Sequence, residues 1–204
     1  IMQPHIIIAD DHSMIRKGIK LLLMSQLGYR KVTEAGSCNE LMNELKKNQC
    51  SHLILDVIFS DGTALEMISG IKELYPSLQV MIFSMQLTEV YAEAFRQYGV
   101  EYYLNKSTNE DDTLQYLRRF LSNESFKPPQ GMPVSTQNPF TLLSPRELEI
   151  LHYLLNGHKT IDIAQNLNLS NSTVSTIKKR ILEKTDTQST TQLLELALLY
   201  NISF

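Results

Sequence analysis

His52-Leu53-Ile54-Leu55-Asp56 is an apolar run that ends in a carboxylate. Short runs rich in Leu and Ile read as strands buried on both faces of a parallel sheet. A carboxylate at the C-terminal end of such a strand stands where open α/β sheets place their ligands. Taken alone, Asp56 fits the start of a turn equally well, since Asp is common there. A second run, His5-Ile6-Ile7-Ile8-Ala9, ends in Asp10-Asp11 and changes that balance. Two buried strands that deliver carboxylates at the same end point to one acidic site.

Outward from these two strands the first 122 residues alternate. Met14–Gln26 carries Ile15, Ile19, Leu22 and Leu23 at helical spacing. Lys31–Ala35 is a predicted strand, and Glu40–Lys47 a helix with Asn39 as N-cap. Beyond Asp56, the pattern predicts a helix over Thr63–Leu74, stopped by Pro76, and a strand over Gln79–Ser84. A helix over Thr88–Tyr98 closes at Gly99, a strand covers Tyr102–Leu104, and a fifth helix covers Asn109–Leu121. Five βα units in succession predict an α/β, flavodoxin-like, doubly wound (βα)5 domain with strand order 2-1-3-4-5. In that order the first and third strands are neighbours, so Asp10, Asp11 and Asp56 converge.

Residues 123–142 hold four of the chain's seven prolines and no apolar period, which predicts an extended linker. Residues 143–204 read as a small all-α domain. Ser144-Pro145-Arg146-Glu147 carries an N-cap, a proline at the first helical position and a glutamate at the third. A helix through Ile150, Leu151, Leu154 and Leu155 ends at Asn156-Gly157. Thr160–Leu167, the tight turn Asn168-Leu169-Ser170 and the helix Ser172–Thr185 form a helix-turn-helix candidate. A last helix, Thr190–Tyr200, carries Leu193, Leu194, Ala197 and Leu198 on its apolar side.

Composition narrows the function classes. The 43% hydrophobic and 20% charged content is that of a globular protein. No apolar run approaches the ~20 residues that span a bilayer, and no leader pattern precedes the first strand. Cys38 and Cys50 are too few for a disulfide framework and lack metal spacing. No two of the five histidines stand at i, i+4, which disfavours a zinc site. These features predict a cytoplasmic protein without membrane partners. Residues 1–122 carry 12 Lys/Arg against 15 Asp/Glu, and residues 123–204 carry 7 against 7. The second part is therefore not basic overall; its cations concentrate in Lys178, Lys179, Arg180 and Lys184. A local stripe of that kind can bind nucleic acid.

Three carboxylates packed together repel one another unless a cation offsets them, and an all-oxygen donor set suits Mg²⁺. The fourth predicted strand ends in the hydroxyl of Ser84, and the fifth is followed by the ammonium of Lys106. One sheet edge thus offers metal ligands, a carboxylate nucleophile, a hydroxyl and an ammonium. That set matches phosphoryl transfer to Asp56.

At this point the chain resembles the two-component response regulators of the NarL/FixJ type. Asp10-Asp11, Asp56, Ser84 and Lys106, with Tyr103, match the receiver domain. Leu143-Ser144-Pro145-Arg146-Glu147, Ile163-Ala164, Leu169-Ser170 and Thr173-Val174-Ser175-Thr176 match the LuxR-type signature. The resemblance implies that Asp56 accepts a phosphoryl group from a sensor histidine kinase or a small phosphodonor. It implies Mg²⁺ held by Asp11 and Asp56 directly, by Asp10 through water and by the Ile58 carbonyl, with Ser84 and Tyr103 as the switch pair. It implies double-stranded promoter DNA as partner. Ser175, Thr176 and Lys179 would face the major groove, and Lys178, Arg180 and Lys184 the phosphates. Leu193, Leu194 and Ala197 fit plain core packing as well, but some of them are expected to form a homodimer contact in the active, DNA-bound form. Ser60 and Ala64 depart from the common proline and glycine, which predicts a looser loop after Asp56.

Two other classes remain beside this reading. One is a phosphorylation-independent DNA-binding regulator whose receiver serves only protein contacts, against which the intact five-residue set argues. The other is an enzyme. Aspartyl-phosphate phosphatases pair the nucleophile with a second Asp two residues on, where this chain has Ile58. A flavin-binding flavodoxin conflicts with Asp10-Asp11, which would repel the flavin phosphate.

Overall fold

The structure is a computed structural model and describes residues 4–124 and 138–202. Most of the expected linker, 125–137, lies outside the described residues. By contact the described residues divide into two units, residues 4–88 with 95–124 and residues 138–202 with 89–94.

The first unit is built on β1 (Ile6–Ala9), β2 (Val32–Ala35), β3 (His52–Leu55), β6 (Gln79–Ser84) and β7 (Tyr102–Asn105). They form one parallel sheet in the order β2-β1-β3-β6-β7, as the alternating pattern predicts. Register puts Ala9 opposite Leu55, so the residues that follow, Asp10 and Asp56, leave the sheet side by side. The helices that alternate with these strands in the chain are α1 (Ser13–Leu21), α2 (Cys38–Lys47), α3 (Ala64–Leu74), α4 (Thr88–Arg96), whose residues 89–94 group with the second unit, and α5 (Glu110–Leu121). One sheet face, with Ile6, Ile8, Ile54, Met81, Phe83 and Leu104, packs against Ile19 and Leu23 and against Leu117 and Phe120 of α5. Alternation turns Ile7, Leu53, Leu55 and Ile82 to the other face, and all four are buried. Covering both faces of a sheet is what a parallel arrangement requires.

Local chemistry sets the boundaries. The first predicted helix is α1 followed by a π-helical turn, Leu22–Gln26, closed by Gly28 at φ 76°. Helix α2 starts earlier than expected because Ser37, not Asn39, is its N-cap, its hydroxyl accepting from the Glu40 amide at 3.1 Å. Between Asp56 and α3 lies a two-stranded hairpin, β4 (Ile58–Phe59) with β5 (Gly62–Thr63), too short to leave a period in the sequence.

The second unit contains a 3-10 turn (Pro139–Leu142), α6 (Pro145–Leu155), α7 (Thr160–Asn166), α8 (Asn171–Lys184) and α9 (Thr190–Leu199). The capping box predicted at Ser144 is present: the Ser144 amide donates to the Glu147 carboxylate at 2.7 Å, and the Glu147 amide to the Ser144 hydroxyl. Such a cap contributes about 0.5–2 kcal/mol. Leu148, Leu151, Ile163, Ala164, Val174, Ile181, Leu193 and Ala197 are buried and form the core of the helical layers. Residues 139–142, at the end of the expected linker, belong to this core through Phe140, which meets Tyr200 edge to face.

Candidate functional site

The C-terminal edge of the sheet gathers the predicted acidic residues. The Asp10 amide donates to the Ala35 carbonyl at 3.1 Å and the Asp56 amide to the Ala9 carbonyl at 2.9 Å, so the ladder continues into the site. Asp10 and Asp56 are buried, at 2% and 5% exposure, and Asp11 is partly open. Lys106 arrives from the end of β7, where its amide donates to the Ser84 carbonyl at 3.0 Å. Its buried ammonium lies 2.5 Å from Asp56 Oδ2 and 2.7 Å from Asp10 Oδ2. Asp56 Oδ1 accepts the Val57 amide at 2.7 Å. Burial pushes the Asp56 carboxyl above its ordinary value, while Lys106 and the Ser84 hydroxyl pull it down and Asp10 adds to the rise. Oxygens of Asp10, Asp11 and Asp56 and a ring nitrogen of His12 all lie within 4.8 Å of one another. Asp11 Oδ1 is buried and makes no aligned hydrogen bond, the His12 ring Nδ1 standing 2.9 Å away. A clustered carboxylate oxygen with free lone pairs is what a hard divalent cation takes, so the residues fit Mg²⁺. Ile58, expected to lend its carbonyl, opens β4 beside this cluster.

Two residues of this site carry no signal in sequence alone. The His12 amide donates to Asp10 Oδ1 at 2.8 Å, and its ring Nδ1 is 2.9 Å from Asp11 Oδ1. Arg16 donates from Nη1 to the Asp10 carbonyl at 2.6 Å. Both are brought in by the turn from β1 into α1. The loop after Asp56 is tied down, contrary to the looseness that Ser60 and Ala64 suggest. The Ala64 amide donates to the Val57 carbonyl at 2.8 Å, and the Asp61 carboxylate accepts the Cys38 and Asn39 amides at the start of α2.

Ser84 and Tyr103 stand on the far side of Asp56. Ser84 is buried, and its hydroxyl helps hold the Asp56 charge. It also accepts the Gln86 amide at 3.4 Å. Tyr103 is turned inward, its hydroxyl donating to the Gln86 carbonyl at 2.9 Å.

In the second unit α7, a turn with Asn168 at φ 52°, and α8 form the helix-turn-helix. The Ser170 hydroxyl caps α8 by accepting the Thr173 amide at 3.1 Å. Val174 and Ile181 face the core, which leaves Ser172, Ser175, Thr176, Lys179 and Arg180 exposed; Lys178 is half-buried. Lys179 stands 3.7 Å from Glu183 one turn on, an exposed pair of little energetic weight.

Residues 6–118 match the response regulator receiver domain family, and residues 141–197 match the bacterial regulatory proteins of the luxR family. The chain belongs to the NarL/FixJ-type response regulators. It is a response regulator with a LuxR-type DNA-binding domain, and so a DNA-binding transcriptional regulator. It is 31% identical to the oxygen regulatory protein NreC of Staphylococcus haemolyticus over 95% of this chain and 96% of that protein. It is 27% identical to the Fimbriae Z protein of Escherichia coli, over 97% of each. Among solved structures it is similar to RcsB of Salmonella enterica serovar Typhimurium bound to promoter rprA in the presence of the phosphomimetic BeF3⁻. There the TM-score is 0.77 at 26% identity, over 96% of this chain and 98% of that one.

Two expectations for this response regulator need correction. Lys184 does not present a free cation. Its ammonium donates to the Glu147 carboxylate at 2.7 Å and to the Leu142 carbonyl at 3.1 Å, tying the end of α8 to the start of α6. Leu193 and Ala197 are not available to a second subunit, because both are fully buried in the core of their own unit. Leu194 is half-buried, and the open apolar surface of α9 is instead Leu198 and Leu199. No described helix is long and apolar enough to cross a membrane.

Proposed function

We propose that this response regulator is switched by a phosphoryl group on Asp56, taken from a sensor histidine kinase or a small phosphodonor, and that the switch governs its binding to promoter DNA. The observation that carries the reading is one buried ammonium, Lys106, held between Asp56 and Asp10. A nucleophilic carboxylate needs its charge kept and the incoming phosphoryl oxygens need theirs offset, and a single lysine between two carboxylates serves both. Asp56 attacks phosphorus in line, the donor's imidazole or carboxylate leaves, and Lys106 turns to an oxygen of the transferred group. Asp10, Asp11, Asp56 and the Ile58 carbonyl would hold Mg²⁺, which when bound neutralises charge on the phosphoryl oxygens. Ser84 meets a phosphoryl oxygen, and Tyr103 reports the change through Gln86.

On the DNA side, Ser175, Thr176 and Lys179 would read base edges, while Lys178 and Arg180 would hold phosphates. RcsB is described on promoter DNA, and as dimers on DNA, which supports the same partner and a homodimer here. Such a regulator works where the promoters are, in the cytoplasm, and is not itself an enzyme.

The test uses the full-length protein with Mg²⁺ and acetyl phosphate. One phosphoryl group should add by intact mass, and Asp56→Asn should abolish it. Promoter affinity should rise with the phosphodonor in the wild type and not in Asp56→Asn. Equal incorporation in the variant would place the acceptor elsewhere. Identical affinity with and without phosphodonor would favour the phosphorylation-independent reading.

A further inference from the structure

We infer that Arg16 is a positioning residue for the acidic site, and that Gly36 lacks a side chain in order to seat it. The inference deepens the reading of Asp10, Asp11 and Asp56 as a cation-dependent phosphoacceptor site, and rests on that reading.

The turn from β1 into α1 carries Asp10 and Asp11 and has no ladder of its own beyond the Asp10 amide. Its geometry is set by the His12 amide on Asp10 Oδ1 within the turn and by a group from outside it. Arg16, one turn into α1, reaches back and donates from Nη1 to the Asp10 carbonyl at 2.6 Å. That carbonyl belongs to the peptide joining Asp10 to Asp11, so the bond orients the peptide from which the Asp11 carboxylate projects. The guanidinium is itself held. Its Nε lies 3.5 Å from the Glu34 carboxylate on β2, and Lys20 donates to the same carboxylate at 2.8 Å. Lys20 chiefly, with Arg16, keeps Glu34 below its ordinary pKa, so the anchor stays charged.

The third side of the seat is Gly36, just past the end of β2. A Cβ built there would stand 3.3, 3.4 and 3.5 Å from Nη1, Cζ and Nη2 of Arg16. Gly36 does not adopt a positive φ, so the backbone does not require glycine at this position. The planar guanidinium lies flat over the space a side chain would fill, and a methyl group there would make it give by a few tenths of an ångström, against a hydrogen bond to the Asp10 carbonyl that is already 2.6 Å. A fixed positive charge here also offsets part of the repulsion among three carboxylates, as outer partners of metal ligands do.

The test compares full-length wild type, Arg16→Gln, Arg16→Lys, Gly36→Ala and the double variant Arg16→Gln/Gly36→Ala. Mn²⁺ binding by electron paramagnetic resonance reads the site without any phosphoryl transfer. The rate of incorporation from acetyl phosphate at limiting Mg²⁺ and the thermal midpoint are read alongside. Arg16→Gln should weaken Mn²⁺ binding by about tenfold or more, in the range found for outer partners of metal ligands. Gly36→Ala should weaken it in the same direction, Arg16→Lys should recover part of the loss, and the double variant should be no worse than the worse single one. Unchanged Mn²⁺ affinity in Arg16→Gln with a lowered midpoint would reduce Arg16 to a brace and overturn the inference. So would Gly36→Ala binding as wild type, or additive losses in the double variant. Where Arg16→Gln does not fold, Gly36→Ala and Arg16→Lys decide by the same comparison. Wild type that binds Mn²⁺ yet takes no phosphoryl group would sink the phosphoacceptor reading and leave the Arg16 result standing on cation affinity.

Discussion

Replacing Lys184 by alanine should cost folding rather than DNA contact. Its ammonium is one of two partners holding the Glu147 carboxylate, the other being the Ser144 amide at 2.7 Å. A hydrogen bond to a charged group contributes about 1.5–3 kcal/mol, but Lys184 is 39% exposed and Glu147 keeps its second partner, so about 1–2 kcal/mol is the appropriate range. For a domain of this size that is a fall of roughly 5–15 °C in melting midpoint. The pH dependence follows from the same contact. Burial opposes the Glu147 charge, but Lys184 and Ser144 outweigh it and hold the carboxyl below its ordinary value of 4.5. A depressed carboxyl stabilises the fold above its unfolded value and loses that contribution as pH falls through the folded one. The gap between wild type and Lys184→Ala should therefore be full above about pH 5 and narrow below 4.5. The assay is calorimetric melting across pH, with promoter binding against salt well below the midpoint. A phosphate contact would lower the salt slope by about 0.9 on removal. A wild-type midpoint together with that smaller slope would refute the structural role.

Three further outcomes are expected. Asp11→Ala should weaken Mg²⁺ binding measured by calorimetry, because it removes one of the three clustered carboxylates; unchanged affinity would take Asp11 out of the site. Lys179→Ala should lose about 1–3 kcal/mol for the specific promoter and relax preference at one base position, and an unaltered preference in binding selections would remove its base-reading role. Lowering pH from 6.5 toward 4 should destabilise the second unit through His152, whose burial, with His158 nearby, holds its pKa down to about 4. The unfolded chain takes up that proton first, and His152→Gln should flatten this part of the melting profile.

The sheet was legible because the buried strands β1, β3 and β6 leave apolar runs, and β1 and β3 are each followed by a carboxylate, Asp10 and Asp56. The helices were legible by period and the α6 start by its cap. Other features depend on which distant group a side chain meets. The hairpin of β4 and β5 is two residues a strand, below any period. Asn39 and Ser37 are both good caps, and only the observed geometry picks Ser37. His12 and Arg16 are ordinary polar residues until the turn folds them onto Asp10 and Asp11. Lys184 looked like its neighbours Lys178 and Lys179 because a helix period cannot reveal a carboxylate 37 residues away. Leu193 and Ala197 looked like Leu198 for a similar reason: an apolar stripe is the same in sequence whether it meets its own core or a second chain.

The switch side of the site bears on how strong the regulation should be. With the Asp56 carboxylate holding Lys106 and Ser84, Tyr103 is already inward on the Gln86 carbonyl. A phosphoryl group therefore need not create the path Asp56–Ser84–Gln86–Tyr103; it strengthens the first step, replacing a carboxylate acceptor by a dianionic one. A ligand shifts two states only by its differential affinity, and moving a population from 1:99 to 99:1 takes about 5.5 kcal/mol. One strengthened charge-assisted hydrogen bond supplies about 1–3 kcal/mol, which is roughly 5–150-fold. Promoter binding without phosphodonor should then be measurable, and the phosphodonor should raise affinity within that range. Ser84→Ala should accept the phosphoryl group yet lose most of the gain, and Tyr103→Phe should lose part of it. Titration of full-length protein on promoter DNA, at several protein concentrations so that dimer formation is separated from the switch, reads this directly. A gain near 10⁴-fold, or a full gain in Ser84→Ala, would mean that the coupling runs through groups other than these three side chains.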